Sequence, residues 1–177
     1  MFKFKSRLEN SEFTWEAIGD IEAGRPNLGD TMPVSVYRLF QFAMRDILNS
    51  KYGTEATTEI FRECGLLAGR EFCKNVLDKS LDFNGFIAQL QKKLQELGIG
   101  ILVVEKADVE KLEFTLTVAE DLDCSGLPIT EESVCDYDEG FIAGIMKEYT
   151  GMAFIAKEID CWATGDRVCR FQVNIKK

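Results

Sequence analysis

Residues 135–171 read CDYDEGFIAGIMKEYTGMAFIAKEIDCWATGDRVCRF, and this stretch decides the fold. Its first half has the apolar spacing of a helix, and its second half reads as two strands on either side of a turn at 163–166. Three of the six cysteines lie here, at Cys135, Cys161 and Cys169. Cys161 and Cys169 are equally far from Gly165, so a hairpin can place them opposite each other. The stretch therefore predicts a helix followed by a hairpin that brings two thiols together.

The rest of the chain alternates between helical and strand-like patterns. Apolar residues at helical spacing predict a helix over 33–50 with one apolar face (Val36, Phe40, Ala43 and Ile47), a second beginning near Thr54 or Thr57, and a third over 82–97. Strand patterns over 100–106 and 111–120, joined at 107–110, predict another hairpin. A loop over 121–132 leads to the fourth helix, which ends near Gly151, and strands over 152–161 and 168–175 follow. We expect an α+β fold with helices packed on an antiparallel sheet.

The chain has the length of one domain, which we place at residues 32–177. Residues 1–31 read as an N-terminal arm, in which Phe2 and Phe4 alternate with lysines as in a strand and four later breakers prevent a longer element. The arm either packs on its own domain or is exchanged with a second subunit, and the second reading predicts a homodimer.

Composition narrows the class of protein. A net charge of −9 argues against a nucleic-acid partner. No apolar run approaches the length of a membrane span, and the first residues do not read as a signal peptide, so we expect a cytoplasmic protein without a membrane partner. Thiols stay reduced there, which favours structural, reactive or metal-bound cysteines over disulfides. The absence of histidine removes His-based catalysis.

The cysteines suggest a metal site. Two thiolates opposed across a hairpin and a third at a helix start supply three ligands of a tetrahedral site, for which zinc is the natural ion. Glu158 is a candidate fourth ligand, but its odd offset from Cys161 puts the two side chains on opposite faces unless a bulge re-aims one of them. Cys124, in the preceding loop, is the rival. Buried cysteines without a metal are the alternative to the whole site.

Two glycines stand out in the second helix. Gly65 and Gly69 are four residues apart, and glycine costs a helix interior about 1 kcal/mol relative to alanine. They indicate close approach of either another helix or a flat ligand. Cys64 and Cys73, in the same apolar setting, read as small core residues.

The chain from about residue 32 to its end resembles the 4-vinyl reductase domain family, whose relatives include sensor domains of aromatic-responsive bacterial transcription activators. The matching segments are Val36-Tyr37-Arg38-Leu39, Gly65 and Gly69, Cys124-Ser125-Gly126-Leu127, Cys135 with Gly140-Phe141 and Gly144, Glu158, Cys161, Gly165-Asp166, and Cys169-Arg170-Phe171.

The resemblance implies a fold similar to that of Golgi-transport and nitric-oxide-sensing ligand-binding modules. It also implies a zinc ion held by three cysteines and one glutamate, which by position are Cys135, Glu158, Cys161 and Cys169. The family's haem-binding cousins ligate iron through a histidine, and its sensors polarise their phenol with one. This chain has none, so it departs from the family pattern for both ligands.

We expect a non-catalytic, zinc-containing domain that binds or senses a small apolar or aromatic molecule. Its pocket would be lined by aromatic residues and by the close-approach glycines. The candidate lining residues are Tyr37, Phe40, Gly65, Gly69, Phe72, Phe86, Phe141 and Trp162. One alternative is an enzyme or accessory subunit for vinyl-group reduction in tetrapyrrole metabolism, although no glycine-rich dinucleotide motif follows a strand. The other is a trafficking-type scaffold.

Overall fold

The computed structural model describes residues 13–176, and the strand-like pattern of Phe2 and Phe4 lies outside them. The described chain forms α1 (Ile21–Gly24), α2 (Val34–Tyr52), α3 (Thr54–Val76), α4 (Phe83–Glu96), β1 (Ile101–Asp108), β2 (Glu113–Ala119), α5 (Asp136–Thr150), β3 (Phe154–Asp160) and β4 (Cys169–Ile175). Short 3-10 turns cover Trp15–Ile18 and Trp162–Thr164. The predicted α+β class and its four main helices are confirmed.

The four strands form one antiparallel sheet in the order β1-β2-β4-β3. Both predicted hairpins are present, β1 with β2 and β3 with β4. The pairing between β2 and β4 joins the hairpins, and Leu116 lies opposite Phe171 at its centre. This arrangement places the C-terminal hairpin, with its cysteines, at the end of the sheet where β2 leads into the loop 121–132.

One face of the sheet is buried under α4 and α5. Apolar residues alternate onto that face, for example Leu116, Phe171 and Val173, which are at most 7% exposed. Aromatic stacking fastens the helices to each other and to the sheet: the ring centroid of Phe86 lies 3.8 Å from that of Tyr149. The other helices are further out, since α3 packs on α5 and α2 packs on α3.

Glycines allow α3 and α5 to approach closely. A Cβ added to Gly65 would lie 2.0 Å from the carbonyl oxygen of Tyr137, and one added to Gly69 would lie 2.1 Å from that of Phe141. The contact is reciprocal, because a Cβ on Gly140 would lie 2.0 Å from the carbonyl oxygen of Arg62. The two glycines of α3 therefore face another helix, and the backbone of that helix fills the space.

The apolar face predicted for α2 is exposed. Phe40 is 66% and Ile47 is 54% exposed, and the neighbouring Leu39 is 73% exposed. The predicted burial of Cys64 is wrong, since this residue is exposed on α3, whereas Cys73 is buried as predicted. The outer surface of the helical layer is thus more apolar than the surface of a folded monomer usually is.

The described part of the arm runs over the surface and contacts α3. The backbone N–H of Trp15 donates to the carboxylate of Glu71, at 3.1 Å. Within the described residues, no helix combines the length and apolarity needed to cross a bilayer.

Candidate metal centre and ligand cavity

Four buried thiols meet where the loop 121–132, the start of α5 and the C-terminal hairpin converge. The sulfur atoms of Cys124, Cys135, Cys161 and Cys169 all lie within 4.8 Å of one another, and each residue is at most 1% exposed. The Sγ atom of Cys135 lies 3.9 Å from that of Cys161 and 3.7 Å from that of Cys169. With Zn–S bonds of about 2.3 Å, a tetrahedral zinc ion holds its sulfurs about 3.8 Å apart. The thiols therefore match the size of a zinc shell.

The thiols also influence one another electrostatically. Hydrogen bonds to the other three thiols raise the pKa of Cys135, and contacts with the same group lower the pKa of Cys161. One sulfur of the cluster is thus favoured as a thiolate and its neighbours as donors to it. A divalent cation at the centre would take the place of the shared protons.

A bulge in β3 re-aims the end of the hairpin. The pairing between β3 and β4 changes register between Glu158 and Asp160, which leaves Ile159 as an extra residue. As a result, Glu158 and Cys161 are both buried despite their odd offset, while Ile159 is exposed. The bulge is the condition under which Glu158 can point toward the thiols.

Glu158 lies beside the cysteine cluster but is not one of its mutually close donors. Its Oε2 accepts a hydrogen bond from the hydroxyl of Ser133, and its Oε1 is buried without a hydrogen-bond partner among residues 13–176. Burial raises the pKa of Glu158 to about 7. The structure therefore brings five candidate donors together, four sulfurs in contact and one carboxylate at their edge.

Helix α2 holds the loop that carries Cys124. Arg38 donates from Nε to the carbonyl oxygen of Leu122, at 2.8 Å, and from Nη2 to that of Ser125, at 2.9 Å. The hydroxyl of Tyr37 donates to Oδ1 of Asp123, at 2.8 Å. The Tyr37-Arg38 pair thus has a structural role, which is to fix the position of a loop that contributes one thiol.

Asp121 shapes the same loop from within. Its Oδ1 accepts hydrogen bonds from the backbone N–H groups of Asp123, at 2.9 Å, and Cys124, at 3.1 Å. Such a turn, closed by a side chain, fixes the backbone locally. It directs the thiol of Cys124 toward that of Cys169, whose Sγ lies 3.0 Å away.

An apolar cavity of about 50 Å³ lies beside the metal centre, between α4, α5 and the inner face of the sheet. Phe83 and Phe114, whose rings stack, lie at its far end, and Asp121 and Asp138 are among its few polar lining residues. Residues of α4 from Phe83 to Leu94 line it, a distance of about 16 Å at 1.5 Å per residue. The cavity is therefore a narrow space beneath α4 with an acidic group near the cysteines.

The residues predicted to line one pocket lie in four places. Phe141 lines the cavity, while Phe72 and Phe86 are buried in the core, Phe72 against the Phe141 ring. Tyr37 and Phe40 line a separate groove between α2 and α3, and Trp162 donates from Nε1 to the carbonyl oxygen of Leu127. Gly65 and Gly69 contact the backbone of α5. The structure does not bring these residues together around one ligand.

Sequence reasoning missed the acidic residues of the cavity. Asp138 lies one turn after Cys135 on α5, and Asp121 lies three residues before Cys124. The signal was present, since each aspartate is three residues from a candidate metal ligand. It reads more simply as a charge at a helix N-terminus and as a loop residue.

Comparisons with known proteins agree with this arrangement. A family model of the 4-vinyl reductase domain matches residues 114–175, which comprise β2, α5, β3, β4 and the loop between β2 and α5. An uncharacterized protein from Methanocaldococcus jannaschii is 30% identical over 149 residues, which cover 84% of this chain and 79% of that protein.

Solved structures share the fold. A vinyl-4-reductase family protein from Methanocaldococcus jannaschii superposes with a TM-score of 0.57 at 20% identity, covering 94% of this chain and 99% of that one. The phenol-responsive sensory domain of the transcription activator PoxR gives a TM-score of 0.64 at 14% identity, covering 81% and 75%. A trafficking protein particle complex subunit 3 from Naegleria fowleri, covalently bound to palmitic acid, gives 0.66 at 12% identity, covering 81% and 95%.

The matched residues contain all four clustered thiols, the carboxylate of Glu158 and the hairpin that carries it, and the 30% identical relative extends the similarity over most of the chain. The chain belongs to the 4-vinyl reductase domain family.

Proposed function

We propose that this chain is a non-catalytic domain that binds or senses a small apolar molecule, with zinc holding the C-terminal hairpin to the rest of the fold. The observation that carries the proposal is the apolar cavity directly beside four clustered thiols. The fold is shared with a sensory domain that responds to phenol and with a subunit that carries palmitic acid, and both ligands have apolar bodies.

The zinc ion is assigned to Cys124, Cys135, Cys161 and Cys169. Thiolates favour zinc and iron over magnesium or calcium, and four sulfurs close a tetrahedral shell with no position for water. A closed shell suits a structural ion, which adds its binding free energy to folding. The ion would join the loop after β2, the start of α5 and the last hairpin. Glu158 is proposed as a neighbour of this shell, in place of the ligand role that the resemblance implies for it.

The ligand is assigned to the cavity beneath α4. Its walls are almost entirely apolar, as ligand pockets usually are, and its long, narrow outline fits a slender molecule. At about 50 Å³ it is smaller than the cavity of about 150 Å³ that accepts benzene. We therefore expect α4 to shift outward when the ligand binds.

Native mass spectrometry tests both assignments on protein purified without added metal. We expect one zinc ion per chain and an additional small-molecule mass, which is released when the same sample is denatured. Zinc without any bound or bindable apolar molecule would remove the ligand-binding function. A metal-free, folded chain would remove the zinc clasp, and iron in its place would overturn the identity of the metal.

A homodimer is the second part of the proposal. The exposed apolar residues of α2 form a continuous outer face, which we call the α2 face: Val36, Leu39, Phe40 and Ile47. Exposed apolar patches of this kind mark interaction surfaces. The α2 face of a second copy, related by a two-fold axis, has matching chemistry by construction.

A further inference from the structure

The cavity ends at two buried carboxyl groups that have no cation among residues 13–176. Asp121 is 3% exposed, and Oδ2 of Asp138 is buried without a hydrogen-bond partner among the residues described. A carboxylate oxygen of each aspartate and the sulfur of Cys135 lie within 4.8 Å of one another. Both aspartates line the apolar cavity. A buried, unpaired carboxylate is costly, so this arrangement asks for a donor that the described fold itself does not supply.

The nearby arginines bind elsewhere. Arg38 donates to backbone carbonyl oxygens of the loop, and Arg45 pairs with Asp136 at 2.8 Å. No ion pair within the described part of the chain reaches Asp121 or Asp138. The local surplus of charge is negative, because Asp123, Glu158 and the four thiols surround the same point.

We infer that the ligand of this cavity is an amine: a narrow apolar chain that lies beneath α4 and ends in a protonated amino group at Asp121 and Asp138. The inference rests on the proposed function of the cavity and adds the chemistry of the ligand's polar end. An ammonium group carries three donors and a positive charge, which answers both the missing hydrogen bonds and the missing cation. A carboxylate end would meet like charges, and an alcohol would supply one donor and no charge.

Asp138 is the better residue to vary. The Oδ1 of Asp121 accepts two backbone hydrogen bonds that shape the loop of Cys124, so its replacement would disturb the metal centre. Asp138→Asn keeps the size of the side chain and removes the charge. Asp46→Asn, on the exposed surface of α2, makes the same change in net charge far from the cavity and is the matched control.

The test is isothermal titration calorimetry of the zinc-loaded protein with decylamine, 1-decanol and decanoate, three ligands with one chain and different ends. We expect decylamine to bind at least tenfold more tightly than decanol, and decanoate to bind most weakly. Asp138→Asn should weaken decylamine at least tenfold and leave decanol unchanged, whereas Asp46→Asn should change neither. Ile142→Trp, which places a large side chain in the cavity, should weaken all binding.

The outcomes separate the inference from the function on which it rests. Equal binding of decylamine and decanol in the wild-type protein overturns the amine while leaving an apolar-ligand site. A preference for decylamine that survives Asp138→Asn but is lost in Asp46→Asn assigns it to the acidic surface and also overturns the amine site. No binding of any of the three compounds overturns the cavity's proposed function itself.

Discussion

At the scale of single residues, the fourth metal ligand is the sharpest question. The resemblance to the family assigns this position to Glu158, whereas the structure places the Cys124 sulfur among the other three and the Glu158 carboxylate beside them. A sulfur in contact with the cluster needs no rearrangement to bind the ion. The carboxylate would have to leave the hydroxyl of Ser133.

We therefore expect Cys124→Ser to weaken zinc binding much more than Glu158→Gln, by roughly tenfold or more against a competing chelator. Zinc per chain, measured by mass spectrometry after dialysis against that chelator, checks the comparison. If Glu158→Gln loses the metal and Cys124→Ser keeps it, the glutamate is the ligand and the proposed set of four cysteines is wrong.

The six cysteines should also differ in reactivity. Burial raises the pKa of Cys73 to about 11, so at pH 8 almost none of it is the reactive thiolate. At this pH we expect iodoacetamide to leave Cys73 unmodified with or without metal, and to modify the four clustered cysteines only after zinc is chelated. The modification of Cys73 should rise with pH toward 11. Peptide mass mapping reads each site, with the exposed Cys64 as the internal reference.

Labelling of the four clustered cysteines at equal rates before and after chelation would contradict a metal in this site. Rapid labelling of Cys73 at pH 8 would instead show that the core around α3 opens readily.

At the scale of elements, the α3–α5 contact depends on having no side chain at four positions. Gly65→Ala would add a helix-favouring residue but place its Cβ 2.0 Å from the Tyr137 carbonyl oxygen. Helix propensity alone predicts a gain of about 1 kcal/mol. We expect a net loss of about 1–3 kcal/mol from overpacking, measured by urea unfolding. Gly24→Ala, whose Cβ would meet nothing within 4 Å, is the control and should change little.

Either a stabilised or an unchanged Gly65→Ala protein would show that α3 and α5 separate at low cost. In that case the glycines would no longer explain the close packing.

How far the sequence predicted these elements depends on how local their cause is. The opposition of Cys161 and Cys169 follows from their equal distance from Gly165, and it was predicted. The bulge at Ile159 was foreseen only as a condition, because it depends on how β3 pairs with β4 in three dimensions. Asp138 was missed, since an aspartate at the start of a helix already has a simple electrostatic explanation.

The α2 face illustrates a different limit. Helical periodicity correctly predicted one apolar face, but periodicity does not say whether the surface that covers this face belongs to the same chain. In the described residues the face lies open. Its partner is therefore a property of the assembly, which a single sequence does not contain.

At the scale of the whole molecule, we expect a dimer that the α2 face holds together. Phe40→Glu places a charge at the centre of this face and should convert the dimer to a monomer with little loss of stability, because Phe40 is 66% exposed. Light scattering after gel filtration measures the change. Val103→Glu, at a residue 48% exposed on β1, is the control and should remain dimeric.

A wild-type protein that is monomeric at high concentration would overturn the dimer. A dimer that persists in Phe40→Glu and is lost in Val103→Glu would move the interface from α2 to the sheet.

The hydrogen bonds from Tyr37 and Arg38 to the loop 121–125 have a thermodynamic consequence. They join the helix that carries the proposed dimer face to the loop that carries both a metal ligand and one end of the ligand cavity. If the ligand binds the dimer more tightly than the monomer, dimerisation must strengthen on ligand binding by the same factor per site, because coupling free energies are reciprocal. A change in subunit association would then report how full the cavity is, without any further domain to transmit the signal.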